Sequence, residues 1–169
     1  MKLIGVFDTT AGPKMPYNDI DHQSFCYDIV QLAKEFDEFH YILKKKNFGG
    51  FTIYGPNIRT IEPFTEPTTS TIISQSMLTV SLAFTSPTVE AWGAGRLGMY
   101  YDPTDKYKDG VYDKYPMIVA HNYDQLREYF KFWTTTPDPD TLAVIRKELD
   151  IEKVDGITQF RRLLCNTTK

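Results

Sequence analysis

Cysteine is scarce in this 169-residue sequence: Cys26 and Cys165 are the only two, which excludes a disulfide framework and any cysteine-rich metal site. Cys26 falls on the apolar side of an expected helix, so it reads as a buried free thiol, and a reducing compartment fits. No apolar run approaches the ~20 residues that a bilayer-crossing helix needs. The opening Met1-Lys2-Leu3-Ile4-Gly5-Val6-Phe7-Asp8 has too short an apolar stretch for a signal peptide. A cytoplasmic location is the expectation, with any membrane association peripheral and through a partner. Basic residues cluster only at Lys44-Lys45-Lys46, and the formal net charge is -3, so a nucleic-acid partner is not expected. The three histidines, His22, His40 and His121, lie far apart without metal-ligand spacing; each is assigned a structural or surface role, and no metal or cofactor is expected. Internal repeats and low-complexity segments are also missing.

Aromatic residues are plentiful instead, at 14% with 11 Tyr and 11 Phe, which argues for a well-filled core and against disorder. Leu3 to Phe7 reads as a buried strand ending in the polar loop Asp8-Thr9-Thr10-Ala11-Gly12-Pro13. Phe25, Ile29, Leu32, Ala33 and Phe36 recur at helical spacing within an expected helix from Asp21 to Phe36. A second strand, Phe39 to Leu43, runs into the three lysines. Strand, helix and strand in succession mark a parallel sheet.

Between Asn47 and Pro67 the pattern is broken by glycine and proline; Phe51-Thr52-Ile53-Tyr54 is the candidate short strand there. Thr68 to Ser76 reads as a capped short helix, and Leu78 to Phe84 as an apolar strand. A helix follows through Val89, Glu90, Ala91 and Trp92, ended by Gly93 and Gly95. Leu97 to Tyr101 is a strand closed by Asp102-Pro103. After a turn-rich stretch come a short strand at Met117 to Ala120 and helices at Asp124 to Trp133 and Thr141 to Leu149. Asp155 to Leu164 is the last helical candidate. The fold class implied is α/β, an open doubly wound, Rossmann-like parallel sheet flanked by helices. Residues 1–169 form a single domain in this reading, with 134–169 as a C-terminal helical extension.

Ligands of such sheets bind beyond the C-terminal ends of the strands. Three of those ends can be placed: Asp8-Thr9-Thr10, Lys44-Lys45-Lys46 and Thr85-Ser86-Pro87-Thr88. At the third, Ser86 suits a helix N-cap and Pro87 the first helical position. Free backbone N–H groups and the positive end of the helix dipole then make an anion site. Thr85, Ser86 and Thr88 add hydroxyl donors, and a diphosphate suits that set. Glu90 is one position too far along to close a capping box with Ser86, which leaves it open to a ribose diol. Its simpler role is to complement the helix dipole. Lys44 and Lys46 are candidate phosphate contacts, and Tyr100 or Tyr101 a candidate stacking surface for a base. Ser86 lacks the surroundings of a nucleophile, and Asp102-Pro103 reads as a turn rather than half of a metal site.

The run Phe84-Thr85-Ser86-Pro87-Thr88-Val89-Glu90-Ala91-Trp92-Gly93-Ala94-Gly95-Arg96, followed by Tyr100-Tyr101-Asp102-Pro103-Thr104, resembles the donor segment of surface-polysaccharide glycosyltransferases of the GT-B type. Ile42-Leu43-Lys44-Lys45-Lys46 resembles that group's basic strand end, with Lys45 where a proline often stands. Val119 to Leu126 and Asp155 to Leu164 are similar as well. The resemblance implies that the chain is the C-terminal, nucleotide-sugar-binding half of such an enzyme. It places the phosphates at Thr85, Ser86 and Thr88 and the ribose at Glu90. It also implies an N-terminal acceptor-binding domain or subunit as partner, where the catalytic base of an inverting member lies, so the catalytic residues stay unknown. Two other readings remain: a non-catalytic partner or regulatory module, and the donor domain of a polyol-phosphate transferase using a cytidine-linked donor.

Overall fold

The computed structural model describes residues 2–9, 17–47, 51–83, 85–110, 112–115, 117–136 and 139–148. In chain order the elements are β1 (Leu3–Phe7), α1 (Asp19–Glu35), β2 (His40–Lys44), β3 (Ile58–Ile61), α2 (Thr69–Gln75), β4 (Leu78–Leu82), α3 (Ser86–Gly93), β5 (Leu97–Tyr101), β6 (Val119–Ala120), α4 (Tyr123–Thr135) and α5 (Pro139–Glu148). The strands form one parallel sheet in the order β3-β2-β1-β4-β5-β6. The doubly wound, Rossmann-like α/β expectation is met. The chain winds outward from β1 to β3, then returns to β4 on the other side of β1, so the order reverses between β1 and β4.

Every residue of β1 and β4 is buried, as in strands covered on both faces; β1 is apolar throughout, while β4 also buries the hydroxyls of Thr79 and Ser81. One face carries α1 and α4: Phe25, Ile29 and Leu32 of α1 join Leu126, Phe130 and Trp133 of α4 over Val6, Val80 and Leu82. The Phe130 ring lies 4.9 Å from Phe36 and 5.3 Å from Phe39. Asn18 starts α1 with a capping box: its side chain accepts from the Ile20 and Asp21 N–H groups while Asp21 accepts from the Asn18 N–H. The other face carries α2 and α3, with Phe7, Ile72, Ile73 and Ala91 buried together, and α5 rests on α3. A Cβ at Gly98 would lie 2.7 Å from Thr79 Oγ1 and 3.2 Å from Thr88 Cγ2, so a glycine there lets the first turn of α3 close onto β5. At its far end α3 stops in a Schellman turn, with Gly95 at φ +70° and the Arg96 N–H donating to the Ala91 carbonyl.

The strand after β2 is Ile58–Ile61, not Phe51–Tyr54. Ile58–Ile61 pairs with β2 in parallel register, while the Ile53 carbonyl accepts from the Thr60 hydroxyl, so 51–54 runs beside β3 as irregular chain. Beyond β5, Asp102 organises the turn-rich stretch. Its fully buried carboxylate accepts from the Thr104 N–H at 3.1 Å, the Thr104 hydroxyl at 2.6 Å, the Tyr107 N–H at 2.9 Å and the Tyr17 hydroxyl at 3.4 Å. The helix expected at Asp155 to Leu164, Cys165 and the part of the 134–169 extension past Glu148 lie outside the described residues.

Candidate functional site

The register aligns Phe7 of β1 with Lys44 of β2 on one side and Ser81 of β4 on the other, so three strand ends finish level at the reversal point. A cavity of about 180 Å³ opens there. Asp8, Lys44, Lys45 and Lys46 line it from β1 and β2, Thr69 from the start of α2, and Thr85, Ser86, Pro87 and Glu90 from the start of α3. Five of the six residues expected at the site meet in this one cavity.

Thr88 is the exception. It is fully buried, its hydroxyl donates to the Met99 carbonyl at 3.3 Å, and it does not line the cavity. The expectation that Thr88 offers a hydroxyl donor to the ligand therefore gives way to a packing role. The N-cap also differs from expectation. Thr85, extended at φ -94° and ψ 153°, caps α3, and Ser86 is its first residue. The Tyr100 hydroxyl donates to the Thr85 carbonyl at 3.0 Å, and the buried Thr88 draws the next turn onto β5, so the helix begins one residue early.

Thr85 makes no side-chain cap bond, and its buried Oγ1 has no hydrogen-bond partner among the described residues. A buried hydroxyl without a partner costs free energy in the absence of a ligand. The N–H groups of Ser86 and Thr88 have no carbonyl behind them in the helix, and Pro87 has no N–H to contribute. Glu90 is exposed, and its carboxylate has no hydrogen bond or ion pair among the described residues.

The three lysines differ. Lys44 is buried, and its ammonium donates to the Glu62 carbonyl at 2.8 Å and the Thr65 carbonyl at 2.6 Å. Burial lowers its pKa, against the pull of Glu66 and Glu62. Its first task is thus to hold the loop after β3, not to clamp a phosphate. Lys45, also buried, pairs with Glu62 at 3.1 Å. Lys46 is exposed on the cavity, and its ammonium has no partner among the described residues.

Asp8 was legible only as part of a strand end. Here its buried carboxylate accepts from the Lys46 N–H at 2.6 Å and meets His22 Nε2 at 3.2 Å, which fixes the turn that presents Lys46. His22 is structural, as expected, and Cys26 behind it is a buried free thiol pushed up to about 12 by burial and then by Asp8. Tyr100 and Tyr101 offer no stacking surface. Both rings are buried, with Tyr100 bonded to Thr85 and the Tyr101 hydroxyl donating to Asp28 at 2.5 Å. Among the described residues no group of His, Cys, Asp and Glu is arranged to hold a metal ion, and no helix is long and apolar enough to cross a membrane.

Strand order and cavity together define a doubly wound α/β domain with an anion-ready crevice where the order reverses. Residues 1–130 match the family described as polysaccharide biosynthesis PFTS motif protein, and the chain belongs to that family. The letters FTS occur once in the sequence, at Phe84-Thr85-Ser86, and Ser86 is the first residue of α3. The sequence matches no curated protein.

Among solved structures, UDP-GlcNAc 2-epimerase from Neisseria meningitidis bound to UDP-GlcNAc is similar at TM-score 0.53 and 15% identity, covering 88% of this chain and 44% of that one. The glycotransferase of kitacinnamycin is similar at TM-score 0.56 and 15% identity, covering 95% of this chain and 42% of that one. These likenesses show the fold, consistent with a GT-B-like C-terminal domain. The chain spans about two fifths of the length of the solved structures it matches.

Proposed function

We propose that this chain binds a nucleoside diphosphate sugar and serves as the donor half of a glycosyltransferase in polysaccharide biosynthesis. The observation that carries the reading is the cavity at the reversal point. There Thr85, with its buried and unpartnered hydroxyl, the open N-terminal turn of α3 and Lys46 line one volume. Each is a donor or positive charge without a protein partner among the described residues, and a diphosphate supplies the matching acceptors. Glu90, one turn further along α3, is an acceptor at the same cavity and suits a ribose diol. The family's place in polysaccharide biosynthesis and the fold of the glycotransferase favour a sugar donor over a dinucleotide. The acceptor half is a separate domain or subunit in this reading.

UDP-GlcNAc, the ligand of the Neisseria enzyme, is the first probe. Titration calorimetry at fixed salt should show binding by the wild type, and Glu90→Gln should weaken it by about 1.5–3 kcal/mol, roughly ten- to a hundredfold. A Glu90 that only complements the helix dipole would instead cost ~0.3–1 kcal/mol of stability and leave affinity unchanged. Failure of UDP-GlcNAc, UDP and other nucleoside diphosphates to bind at millimolar concentration overturns the reading.

A second hollow, of about 430 Å³, shares Lys44, Lys45, Lys46 and Thr69 with the first and reaches Phe64. Phe64 is 93% exposed and sits in the left-handed region at φ 58°, where an aromatic residue pays about 1–2 kcal/mol. Lys44 grips the carbonyls of Glu62 and Thr65 on either side of it, so the loop is held rather than loose. A strained, presented aromatic ring beside a phosphate cavity fits a platform for the nucleobase. Asparagine tolerates the left-handed region, so Phe64→Asn should leave thermal stability unchanged or slightly raised. UDP affinity should fall by about 1–3 kcal/mol, the worth of one base–aromatic stack. Unchanged affinity in calorimetry removes the platform role and leaves the cavity reading intact.

A further inference from the structure

On the opposite face of the sheet, α1 presents a second side to solvent. Its inward side buries Phe25, Ile29 and Leu32, yet Ile20 at 72% and Tyr27 at 63% stand exposed seven residues apart, on one stripe of the helix. Two hollows of about 500 and 630 Å³ follow this stripe, and Tyr27, Asp28 and Tyr123 line both. They make one groove between α1 and the start of α4, running from Ile20 to Glu35, about 22 Å of helix. Its upper end opens at Tyr101, Pro103 and His121, beyond the C-terminal ends of β5 and β6, on the same edge of the sheet as the diphosphate cavity.

The lining has a particular chemistry. Tyr27 and Ile20 give flat apolar area, and Tyr27 has a polar tip. Gln23, Gln31 and Asn122 are neutral hydrogen-bonding groups; the Asn122 oxygen caps α4 through the Gln125 N–H, which leaves its amide nitrogen without a partner among the described residues. Asp28 lies at the centre of the groove. One of its oxygens accepts from Tyr101, and the other has no partner among the described residues. Burial raises its pKa, against the lowering effect of the Tyr101 hydrogen bond. Lys34 and Glu35 offset each other at the lower end. A phosphate or polyanion finds no excess positive charge here.

We infer that this groove holds a stretch of uncharged glycan, its ring faces on Tyr27 and its hydroxyls on Asp28 and the neighbouring amides. The choice of glycan over another neutral polyol rests on the polysaccharide family, not on the nucleotide reading. A glycan held on this flank is kept by the same domain whose reversal-point cavity faces the same edge.

The test uses the full chain on an array of neutral and acidic oligosaccharides, followed by titration of the strongest neutral binder in solution. Binding should weaken at least tenfold in Tyr27→Ala and severalfold in Gln23→Ala, both exposed positions whose loss leaves the core untouched. Asp28→Asn should weaken it as well, with folding checked because Tyr101 loses a partner. Saturating UDP should not displace the glycan, and Tyr27→Ala should leave UDP affinity unchanged, so the groove and the cavity are scored separately. Retention of no neutral glycan overturns the inference. So does glycan binding that ignores Tyr27→Ala, or that UDP competes away. Self-association of the chain abolished by Tyr27→Ala, with no glycan retained, would make the groove a protein interface instead.

Discussion

Asp102→Ala is expected to cost about 3–5 kcal/mol of folding stability, because it breaks a buried hydrogen-bonded network around a charge. The carboxylate accepts two bonds from Thr104, one from the Tyr107 N–H and one from the Tyr17 hydroxyl, and alanine removes the acceptor of all four. The part-buried Thr104 and Tyr107 N–H groups then lose the acceptor that holds the chain after β5. The loss should therefore come with a looser 102–110 segment, read as faster amide exchange there. Asp102→Asn keeps one acceptor oxygen and the side-chain volume, so its cost should be clearly smaller. Urea unfolding of the three proteins checks this. A loss under about 1 kcal/mol for alanine would mean that the turn is held by its own backbone rather than by the carboxylate.

Why that carboxylate matters could not be read from Asp102-Pro103, which as sequence is only a turn. The same limit recurs through the molecule. Strands β1 and β5 were legible as near-continuous apolar runs, and β4 as an apolar-rich run in which Leu78, Val80 and Leu82 alternate with small hydroxyl residues. Helices α1 and α4 were legible from periodic apolar positions. β3 was not, because it is the edge strand: only Ile61 is buried, and Ile58-Arg59-Thr60-Ile61 carries a weaker pattern than Phe51-Thr52-Ile53-Tyr54 nearby. What selects β3 is pairing with β2, a tertiary fact.

The site divides in the same way. The turn into α3 shows in sequence because proline and hydroxyl residues after an apolar strand are local chemistry. That Asp8, Lys45 and Thr69 join it follows from strand order, which no local window contains. Lys44 and Lys46 look alike as letters. They differ because the Glu62 and Thr65 carbonyls of the loop after β3 occupy the Lys44 ammonium that was expected to meet phosphate, while the Lys46 ammonium has no partner among the described residues. Tyr100 and Tyr101 looked like ring surfaces, but β5 sits inside the sheet, so their rings pack in the core against Trp92 and Phe25 and their hydroxyls bond to Thr85 and Asp28.

Thr85→Val gives the sharpest separation between a binding turn and a merely structural one, because the two predict opposite balances of stability and affinity. In the unliganded chain the Thr85 hydroxyl is buried without a partner among the described residues, and it makes no side-chain cap bond to α3. Replacing it with a methyl group of similar size removes that desolvation penalty, so the free protein should gain about 1–3 kcal/mol. Valine keeps the branched shape and suits the extended backbone at this position, and the Thr85 carbonyl that anchors Tyr100 is untouched. UDP-GlcNAc affinity should fall at the same time by roughly ten- to a hundredfold, since a hydrogen bond to a charged phosphate oxygen is worth about 1.5–3 kcal/mol. Thr85→Ser, which keeps the hydroxyl, should retain most of the affinity and little of the stability gain. Urea unfolding without ligand and calorimetry with UDP-GlcNAc, on all three proteins at one salt concentration, separate the outcomes. A valine variant that is less stable and binds as before would mean that the hydroxyl serves the fold. A variant both more stable and unchanged in affinity would mean that the phosphates lie elsewhere in the cavity, and Lys46 with the N–H groups of α3 would then have to hold them without Thr85.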